Sequence, residues 1–148
     1  MQVRRATAAD VERWARMRAA LWPEGDLDEH RAEVLEQLDG LAGDQVAFIA
    51  VDGEGNSCGF AEASLRRDYV NGCDTSPVGF LEGIFVEPTH QGRGVGRRLS
   101  AAVEAWAREK DCRELASDAL LENTNSHAFH AALGFEETER VVYFRMNL

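Results

Sequence analysis

A glycine-rich turn in the middle of the chain has the composition of an anion-binding loop. It reads Gln91-Gly92-Arg93-Gly94-Val95-Gly96. Glycine has no side chain to hold the backbone away from a ligand, so the backbone N–H groups can approach a phosphate closely. The pattern is neither a P-loop nor the G-x-G-x-x-G of dinucleotide-binding proteins. The sequence therefore predicts a phosphate cradle of another kind, and a flexible turn without a ligand is the alternative.

The elements on either side of the turn favour the phosphate interpretation. Residues 80–86 are mostly apolar and end at Pro88, which predicts a buried strand. After the turn, apolar residues at helical spacing predict an amphipathic helix, and they are Val95, Leu99, Val103 and Trp106. A strand, a glycine turn and a helix in this order direct backbone N–H groups and the positive end of the helix dipole towards one point.

The rest of the chain predicts strands with helices between them, in the order β-α-α-β-β-β-α-β-α-β. The other predicted strands cover residues 3–5, 45–51, 58–65, 113–119 and 137–146, and the other helices cover 11–22, 28–38 and 123–133. Gly40 and Gly43 bound a loop, and residues 66–77 form a longer polar loop. This order predicts a mixed α/β fold around one sheet. With 148 residues and no linker, the chain is expected to be one domain, residues 1–148.

The charge balance restricts the class of partner. Sixteen basic and 26 acidic residues give a net charge of −10, which argues against nucleic acid as a ligand. An acidic surface is compatible with a cationic small molecule, because it concentrates such ligands. Solubility alone is the other explanation, and charge does not separate the two.

The cysteines and histidines predict no disulfide framework and no metal site. Three cysteines, an odd number, are widely spaced, and the four histidines show no ligand spacing. No apolar run reaches the length of about 18 residues that a membrane helix needs. The first residues contain no apolar stretch typical of a secretory signal. We therefore expect a protein of the reducing cytoplasm.

The turn and the order of elements resemble the GCN5-related N-acetyltransferase (GNAT) superfamily over nearly the whole chain. Its signature is Gln/Arg-x-x-Gly-x-Gly/Ala, matched here by residues 91–96. Within it, several stretches resemble the aminoglycoside 6'-N-acetyltransferases. These are residues 21–23, 68–74, 80–86, 112–118 and 134–140. The resemblance implies a single domain with a mostly antiparallel, splayed sheet flanked by helices.

The resemblance also implies where acetyl-coenzyme A binds. Its pyrophosphate would lie on the backbone of residues 92–97, from Gly92 to Arg97. Its pantetheine arm would pair with Ile84, Phe85 and Val86 in the manner of a strand, where a free backbone N–H could polarise the thioester carbonyl. Asn123 is the position that binds the arm, and a helix N-cap is its alternative role.

Glu82 is the first candidate for deprotonating an amine acceptor. A charged residue inside an apolar strand is costly unless it faces a cleft. A carboxylate there could take the proton of an ammonium group directly or through a water molecule. Strand alternation is expected to place Glu82 on the same face as Ile84 and Val86. A paired structural carboxylate is the alternative.

Further residues are expected around the acceptor on the strength of the resemblance. Asp118, at the end of a predicted strand, is a second catalytic candidate, and a capping role is its alternative. Trp22 and Tyr69 would stack on sugar rings, although Trp22 could equally be a core residue. Glu139 would bind an ammonium group, and a solvated acidic face is its alternative. Asp74 is a weaker candidate, and the general acid stays unassigned because His130 stands where many relatives carry tyrosine.

The resulting hypothesis is a direct transfer of acetyl from acetyl-coenzyme A to the 6'-amine of an aminoglycoside, with antibiotic resistance as the consequence and no metal required. Two alternatives remain open at this point. One is a transferase for another amine, such as a polyamine, a metabolite or a peptide. The other is a non-catalytic acyl-coenzyme A-binding module. The resemblance also suggests a homodimer, with Val141, Val142 and Phe144 as interface candidates.

Overall fold

One sheet organises the part of the chain that the computed structural model describes, residues 1–39 and 43–148. Its strands are β1 (Gln2–Arg5), β2 (Gln45–Val51), β3 (Ser57–Arg66), β4 (Val78–Val86) and β5 (Leu115–Ser117), in that spatial order. The helices are α1 (Val11–Leu21), α2 (Leu27–Leu38), α3 (Val95–Glu109) and α4 (Thr124–Ala132), with 3₁₀ turns at Ala8–Asp10 and Pro88–His90. Most of the loop expected between Gly40 and Gly43 lies outside the described residues.

The sheet opens between its last two strands. Strands β1 to β4 pair antiparallel, and β5 pairs parallel to β4. That parallel pairing covers only three positions and ends where Leu81 faces Ser117. Beyond Leu81, no described strand pairs with this edge of β4. The predicted splay is therefore present, and it leaves the second half of β4 accessible from one side.

The core has two layers, one on each face of the sheet. The apolar stripe predicted for the long helix is buried as expected, since Val95, Leu99, Val103 and Trp106 of α3 pack on one face. On the other face α1 and α2 bury a second cluster, which includes Trp14, Met17, Val34, Ile49 and Phe60. Among the described residues, no helix combines the length and apolar character needed to cross a membrane.

A β-bulge in β4 changes the predicted orientation of Glu82. Glu62 of β3 faces Gly83, whereas the next residue, Ala63, faces Leu81, so Glu82 is an extra residue. Ile84 and Val86 pack into the α3 layer. Glu82 lines a cavity on the α1–α2 side. The expectation that Glu82 shares a face with Ile84 and Val86 is therefore wrong, because one inserted residue reverses the alternation.

The strand predicted at residues 137–146 is also wrong for the single chain. This segment comes after α4 and has no regular secondary structure. Its apolar side chains are exposed, with Tyr143 at 83% and Phe144 at 92%. A strand needs a neighbour for its backbone groups, and no strand among residues 1–39 and 43–148 pairs with it. The apolar residues predicted for an interface are exposed, as that prediction requires.

Candidate functional site

The glycine-rich turn is open at the surface and held in a conformation that suits glycine. Residues 91–94 are exposed, and Gly92 and Gly94 have φ angles of 76° and 82°. A Cβ at either glycine would meet nothing within 4 Å, so it would project into the space in front of the turn. Gly94 is the N-cap of α3, whose first turn contains no acidic residue. The turn therefore fits a diphosphate bound by backbone N–H groups at the positive end of the helix.

The remaining residues of the turn position it. A Cβ at Gly96 would lie 2.8 Å from Cζ of Phe129, so this glycine lets α4 pack against the start of α3. The Val95 side chain is buried in the core, which leaves its backbone for a ligand. Arg97 donates to the carbonyl of Ala132 at 3.1 Å, which joins the turn to the end of α4, while the Arg93 side chain is exposed.

The free edge of β4 leads from the turn to the point where β4 and β5 separate. Ile84 and Phe85 are half-buried, although they belong to a strand inside the sheet. Gln91 Nε2 donates to the carbonyl of Val86 at 3.1 Å and so fixes the turn to the end of β4. An extended arm with amide groups fits this edge, since no strand of the described residues pairs with the backbone groups there. The edge and the turn together fit acetyl-coenzyme A.

Asn123 is the N-cap of α4, which was one of the two roles considered from the sequence. Its side chain accepts a hydrogen bond from the Ser126 N–H at 3.1 Å, which caps α4. The capping alternative is therefore confirmed. A second contact of Asn123 with the pantetheine arm stays a prediction.

Two carboxylates flank the point where β4 and β5 separate. Leu81 and Ser117 form the last parallel pair, and the next residue on each strand is acidic, Glu82 on one and Asp118 on the other. Paired neighbouring strands lie about 4.8 Å apart, so the two residues follow positions, Leu81 and Ser117, whose backbones are close together. Glu82 accepts hydrogen bonds from Ser64 Oγ at 2.6 Å and Arg66 at 3.0 Å. The Asp118 side chain is exposed, and the structure gives it no hydrogen bond within the described ranges.

Glu82 and Trp22 face the same cavity, which has a volume of about 470 Å³. It lies between α1, α2 and the middle strands of the sheet. Trp22 packs over Gly83, where a Cβ would lie only 2.4 Å from the indole ring. The cavity is lined by Arg18, Trp22, Gly25, His30, Glu33, Gln37, Gln45, Glu62, Ala63, Ser64 and Glu82. Its wall thus combines an aromatic side chain with three carboxylates, two of which, Glu33 and Glu62, are paired with Arg18. Glu82 is the carboxylate of this wall that is placed to attract a cationic ligand.

Tyr69, Asp118 and Glu139 lie outside the lining of this cavity. The Tyr69 side chain is 76% exposed. A Cβ at Gly72 would lie 2.2 Å from Oγ1 of Thr138, so the loop that contains Tyr69 touches the segment that contains Glu139. The loop of Tyr69 and the segment of Glu139 therefore lie side by side, and the binding roles of Tyr69, Asp118 and Glu139 stay predictions.

Asp74, the weaker candidate, belongs to a turn held by Glu114. The Glu114 carboxylate accepts from the backbone N–H groups of Asp74 at 2.9 Å and Thr75 at 2.8 Å. These hydrogen bonds, with that of the Thr75 hydroxyl first, lower the pKa of Glu114. The contacts fix the backbone of the loop.

Sequence reasoning missed a buried polar cluster under the cavity. Glu62 is 3% exposed and forms an ion pair with Arg18. It also accepts from Trp14 Nε1 at 3.1 Å and from Gln37 Nε2 at 2.9 Å. Burial raises the pKa of Glu62, and the hydrogen bonds from its partners act in the opposite direction. The same signal that identified Glu82, an acidic residue inside an apolar run, was available for Glu62 in the run Phe60-Ala61-Glu62-Ala63.

A second missed group is a pair on the β5 side. The Nε2 atom of His130 lies 2.7 Å from Oγ of Ser117, which is also 3.1 Å from the carbonyl oxygen of Leu81. His130 was considered from the sequence, but Ser117 was not. Sequence spacing could not have joined them, because they lie on different elements and meet only where β4 and β5 separate.

The surroundings of the three cysteines favour protonated thiols over nucleophilic thiolates. None is paired in a disulfide, and Cys58 and Cys112 are buried. Burial raises the pKa of Cys58, Cys73 and Cys112, which keeps the sulfur protonated. Within residues 1–39 and 43–148, no group of histidine, cysteine and acidic side chains could hold a metal ion.

Comparisons with known proteins agree with this geometry. The profile of the acetyltransferase (GNAT) family matches residues 11–135. An aminoglycoside N(6')-acetyltransferase type 1 from Stenotrophomonas maltophilia is 54% identical over 99% of this chain and 93% of its own length. The apo crystal structure of the aminoglycoside 6'-N-acetyltransferase AAC(6')-IG from Acinetobacter haemolyticus is 40% identical, with a TM-score of 0.94 over 100% of this chain and 99% of its own. The structure of AAC(6')-Iy with the bisubstrate analogue CoA-S-monomethyl-acetylneamine is 49% identical, with a TM-score of 0.91 over 99% and 98%. The chain belongs to the acetyltransferase (GNAT) family, in the branch of the aminoglycoside 6'-N-acetyltransferases.

Proposed function

We propose that this chain transfers acetyl from acetyl-coenzyme A to the 6'-amine of an aminoglycoside. The observation that carries the proposal is the register of the two parting strands. Glu82 and Asp118 stand at the same level, each directly after the last pair between β4 and β5. The open edge of β4 leads to this point from the phosphate-binding turn, and the cavity lined by Trp22 and Glu82 opens beside it.

The donor side binds through backbone groups. Residues 92–97 hold the diphosphate, and Ile84 to Val86 pair with the amides of the arm. The donor supplies the thioester, and a backbone N–H of the β4 edge polarises its carbonyl. Burial raises the pKa of all three thiols and so disfavours the thiolate that would attack the thioester. Direct attack by the amine is therefore favoured over an acyl-enzyme.

The acceptor side has to bind ammonium groups and remove one proton. Glu82 or Asp118 takes that proton, directly or through a water molecule. Ser64 and Arg66 donate hydrogen bonds to Glu82 and orient its carboxylate. Trp22 stacks on a sugar ring in the cavity, and Tyr69 and Glu139 contact the far side of the acceptor. Glu33, which is half exposed at the cavity and paired with Arg18, is the further carboxylate that an ammonium group can reach.

The experiment is a thiol-release assay with matched acceptors. Aminoglycosides that carry a 6'-amine are compared with an aminoglycoside that carries a 6'-hydroxyl and with a polyamine. We expect turnover with the first group alone. Efficient turnover of the polyamine with none of an aminoglycoside would contradict the acceptor that we propose. Coenzyme A binding without thiol release from any amine would contradict the enzymatic role.

The proposal includes a homodimer in the reducing cytoplasm. Three cysteines without a disulfide support a reducing compartment. The dimer is supported by the exposed apolar segment at residues 141–148, where five large side chains are more than three-quarters exposed. They are Val142, Tyr143, Phe144, Met146 and Leu148. Contiguous apolar surface of this kind marks an interface.

A further inference from the structure

A buried ionic cluster connects α1, α2 and β3 directly beneath the acceptor cavity. Arg18 and His30 are 6% and 4% exposed, and Glu62 is 3% exposed. Arg18 forms ion pairs with Glu62 and with Glu33 at the cavity rim. In the described part of the chain, every buried side-chain nitrogen and oxygen has a hydrogen-bond partner. When apolar residues of similar volume replace a buried ion pair, the core is often at least as stable. Stability alone therefore does not account for this cluster.

His30 connects the cluster to the backbone of Trp22. Its Nδ1 atom accepts from the Nε–H of Arg18 at 3.4 Å, since that group can only donate. The neutral ring therefore carries its proton on Nε2, which donates to the Trp22 carbonyl at 2.8 Å. Gly25 leaves room for this arrangement, because a Cβ there would lie 3.1 Å from Nε2 of His30.

The indole ring of Trp22 is held by the same cluster. The Arg18 guanidinium lies 4.8 Å from the centre of the ring, and Phe60 meets the ring edge-on at 6.1 Å. The edge of the ring, at Cζ2 and Cη2, lies against Gly83 of the bulge. Gly83 is in turn paired with Glu62. The cluster therefore determines how far the Trp22 ring stands from Glu82, the neighbour of Gly83.

We propose that Arg18, His30 and Glu62 are positioning residues for acceptor binding. They hold Trp22 as a rigid wall of the cavity, so that a ring stacked on it presents its amine at Glu82. The inference rests on the proposed acceptor site, but the orientation of Trp22 can be measured without any acceptor. The proposed donor contacts are made by backbone groups of the turn and of the β4 edge, so we expect the donor affinity to change little when the cluster is altered.

The test compares two substitutions of His30. In His30→Gln the side-chain amide can still donate to Trp22 and accept from Arg18, whereas His30→Phe keeps a ring and loses both hydrogen bonds. We expect His30→Phe to raise the acceptor KM about tenfold, which corresponds to about 1.4 kcal/mol, and to leave the acetyl-coenzyme A KM within about twofold. His30→Gln is expected to restore most of the acceptor affinity. Val34→Ala, one turn further along α2 at a fully buried position, is the control for lost stability.

A spectroscopic measurement separates this inference from the proposed function. With 5-fluorotryptophan incorporated, the ¹⁹F signal of Trp22 is assigned by its loss in Trp22→Phe. Without ligands, we expect the signal to shift or broaden in His30→Phe and to stay at its wild-type position in His30→Gln and Val34→Ala. An unchanged Trp22 signal in His30→Phe, or an acceptor KM that changes as much in Val34→Ala, would overturn the positioning role. Failure of the wild-type protein to acetylate aminoglycosides would instead contradict the proposed function. The ¹⁹F result would then decide whether the cluster positions Trp22.

Discussion

The Nε2 atom of His130 lies 2.7 Å from Oγ of Ser117, where α4 meets the end of β5. On the opposite side of the ring, Nδ1 lies 2.7 Å from the carbonyl oxygen of Ser126, which can only accept. Nδ1 therefore carries the proton of the neutral ring, and Nε2 accepts from the Ser117 hydroxyl. The Ser117 hydroxyl also lies 3.1 Å from the carbonyl oxygen of Leu81. The pair thus joins α4 to the last paired residue of β4.

Replacing Ser117 by alanine tests this connection. We expect Ser117→Ala to lower the free energy of unfolding by about 1 kcal/mol, because Nε2 of His130 loses its partner in a half-buried site. Urea denaturation measures the change. Ser126→Ala is the control, since the backbone carbonyl of residue 126, rather than its hydroxyl, makes the short contact with the ring. Equal stability of the two variants would show that the Ser117 hydrogen bond is not maintained in solution.

Gly94→Ala tests the phosphate-binding turn. The φ angle of 82° at Gly94 is unfavourable for alanine by about 1–2 kcal/mol, and the new methyl group would project into the space in front of the turn. We expect the Kd for coenzyme A, measured by calorimetry, to rise about tenfold or more. Gly53→Ala is the matched control, because its Cβ also meets nothing within 4 Å and its φ lies outside the left-handed region. Wild-type affinity in Gly94→Ala would remove the turn from the donor site.

Glu82→Gln tests the proton-accepting role. The amide keeps the size of the side chain but cannot take a proton, so we expect kcat/KM for the acceptor to fall about 100-fold. Coenzyme A affinity should stay within about twofold, because the donor contacts are made by backbone groups. Glu87→Gln controls for the change in charge, because Glu87 is an acidic residue that directly follows the last residue of β4 and pairs with Arg13. Turnover at the wild-type rate would assign Glu82 a structural role.

The bulge at Glu82 shows what the sequence could not predict about the site. The residue was identified correctly as a charged position in an apolar strand, and its exposure to the cavity follows that logic. Its face was predicted wrongly, because periodicity counts residues and contains no information about a register shift against β3. By contrast, the stripe from Val95 to Trp106 was predicted correctly, since helical spacing alone determines which side chains share a face.

Glu62 and Glu82 carried the same signal in the sequence, and tertiary contacts gave them different surroundings. Glu62 is enclosed by Arg18, Gln37 and Trp14, which come from helices distant in sequence. Glu82 faces the cavity beside Ser64 and Arg66 of the neighbouring strand. A charged residue in an apolar run therefore indicates either a buried hydrogen-bonding partner or a cleft. The packing of α1 and α2 determines which of the two each glutamate has.

The pair of Arg4 and Asp10 predicts how stability depends on pH. Arg4 donates to both carboxylate oxygens at 2.8 and 2.9 Å, and Thr7 N–H donates at 2.7 Å. The hydrogen bond from Arg4 is the largest cause that lowers the pKa of Asp10 from its ordinary 3.8. A lowered folded-state pKa stabilises the protein above the unfolded-state pKa, and this stabilisation is lost as the pH falls towards the folded-state value.

We therefore expect the free energy of unfolding to decrease as the pH falls below roughly 4, and Asp10→Asn to reduce that pH dependence. At neutral pH the variant should be less stable by about 1–3 kcal/mol. Urea denaturation at several pH values provides the measurement. Asp28→Asn, at an exposed carboxylate on α2, serves as control. A variant as pH-sensitive as the wild type would show that other carboxylates account for acid unfolding.

Removal of residues 141–148 tests the proposed dimer. The segment exposes a row of large apolar side chains, and burial of such surface contributes about 25 cal/mol per Å². We expect the full chain to have the mass of a dimer by light scattering and the chain ending at Arg140 to have the mass of a monomer. Phe144→Asp should weaken the dimer. Leu120→Asp, at a position 75% exposed outside the segment, should leave it intact.

The proposed dimer explains why the sequence predicts a strand that the single chain lacks. Residues 137–146 have the composition of a strand, yet no strand pairs with them among residues 1–39 and 43–148. Both observations hold if the neighbouring strand belongs to a second copy, whose backbone then satisfies the free groups of this segment. Glu139 stays in the shortened chain but loses the pairing that would hold it beside the loop of Tyr69. We therefore expect the shortened chain also to bind the acceptor more weakly, while its coenzyme A affinity is retained. A full chain that is monomeric, with its exposed segment cleaved rapidly by protease, would contradict this pairing.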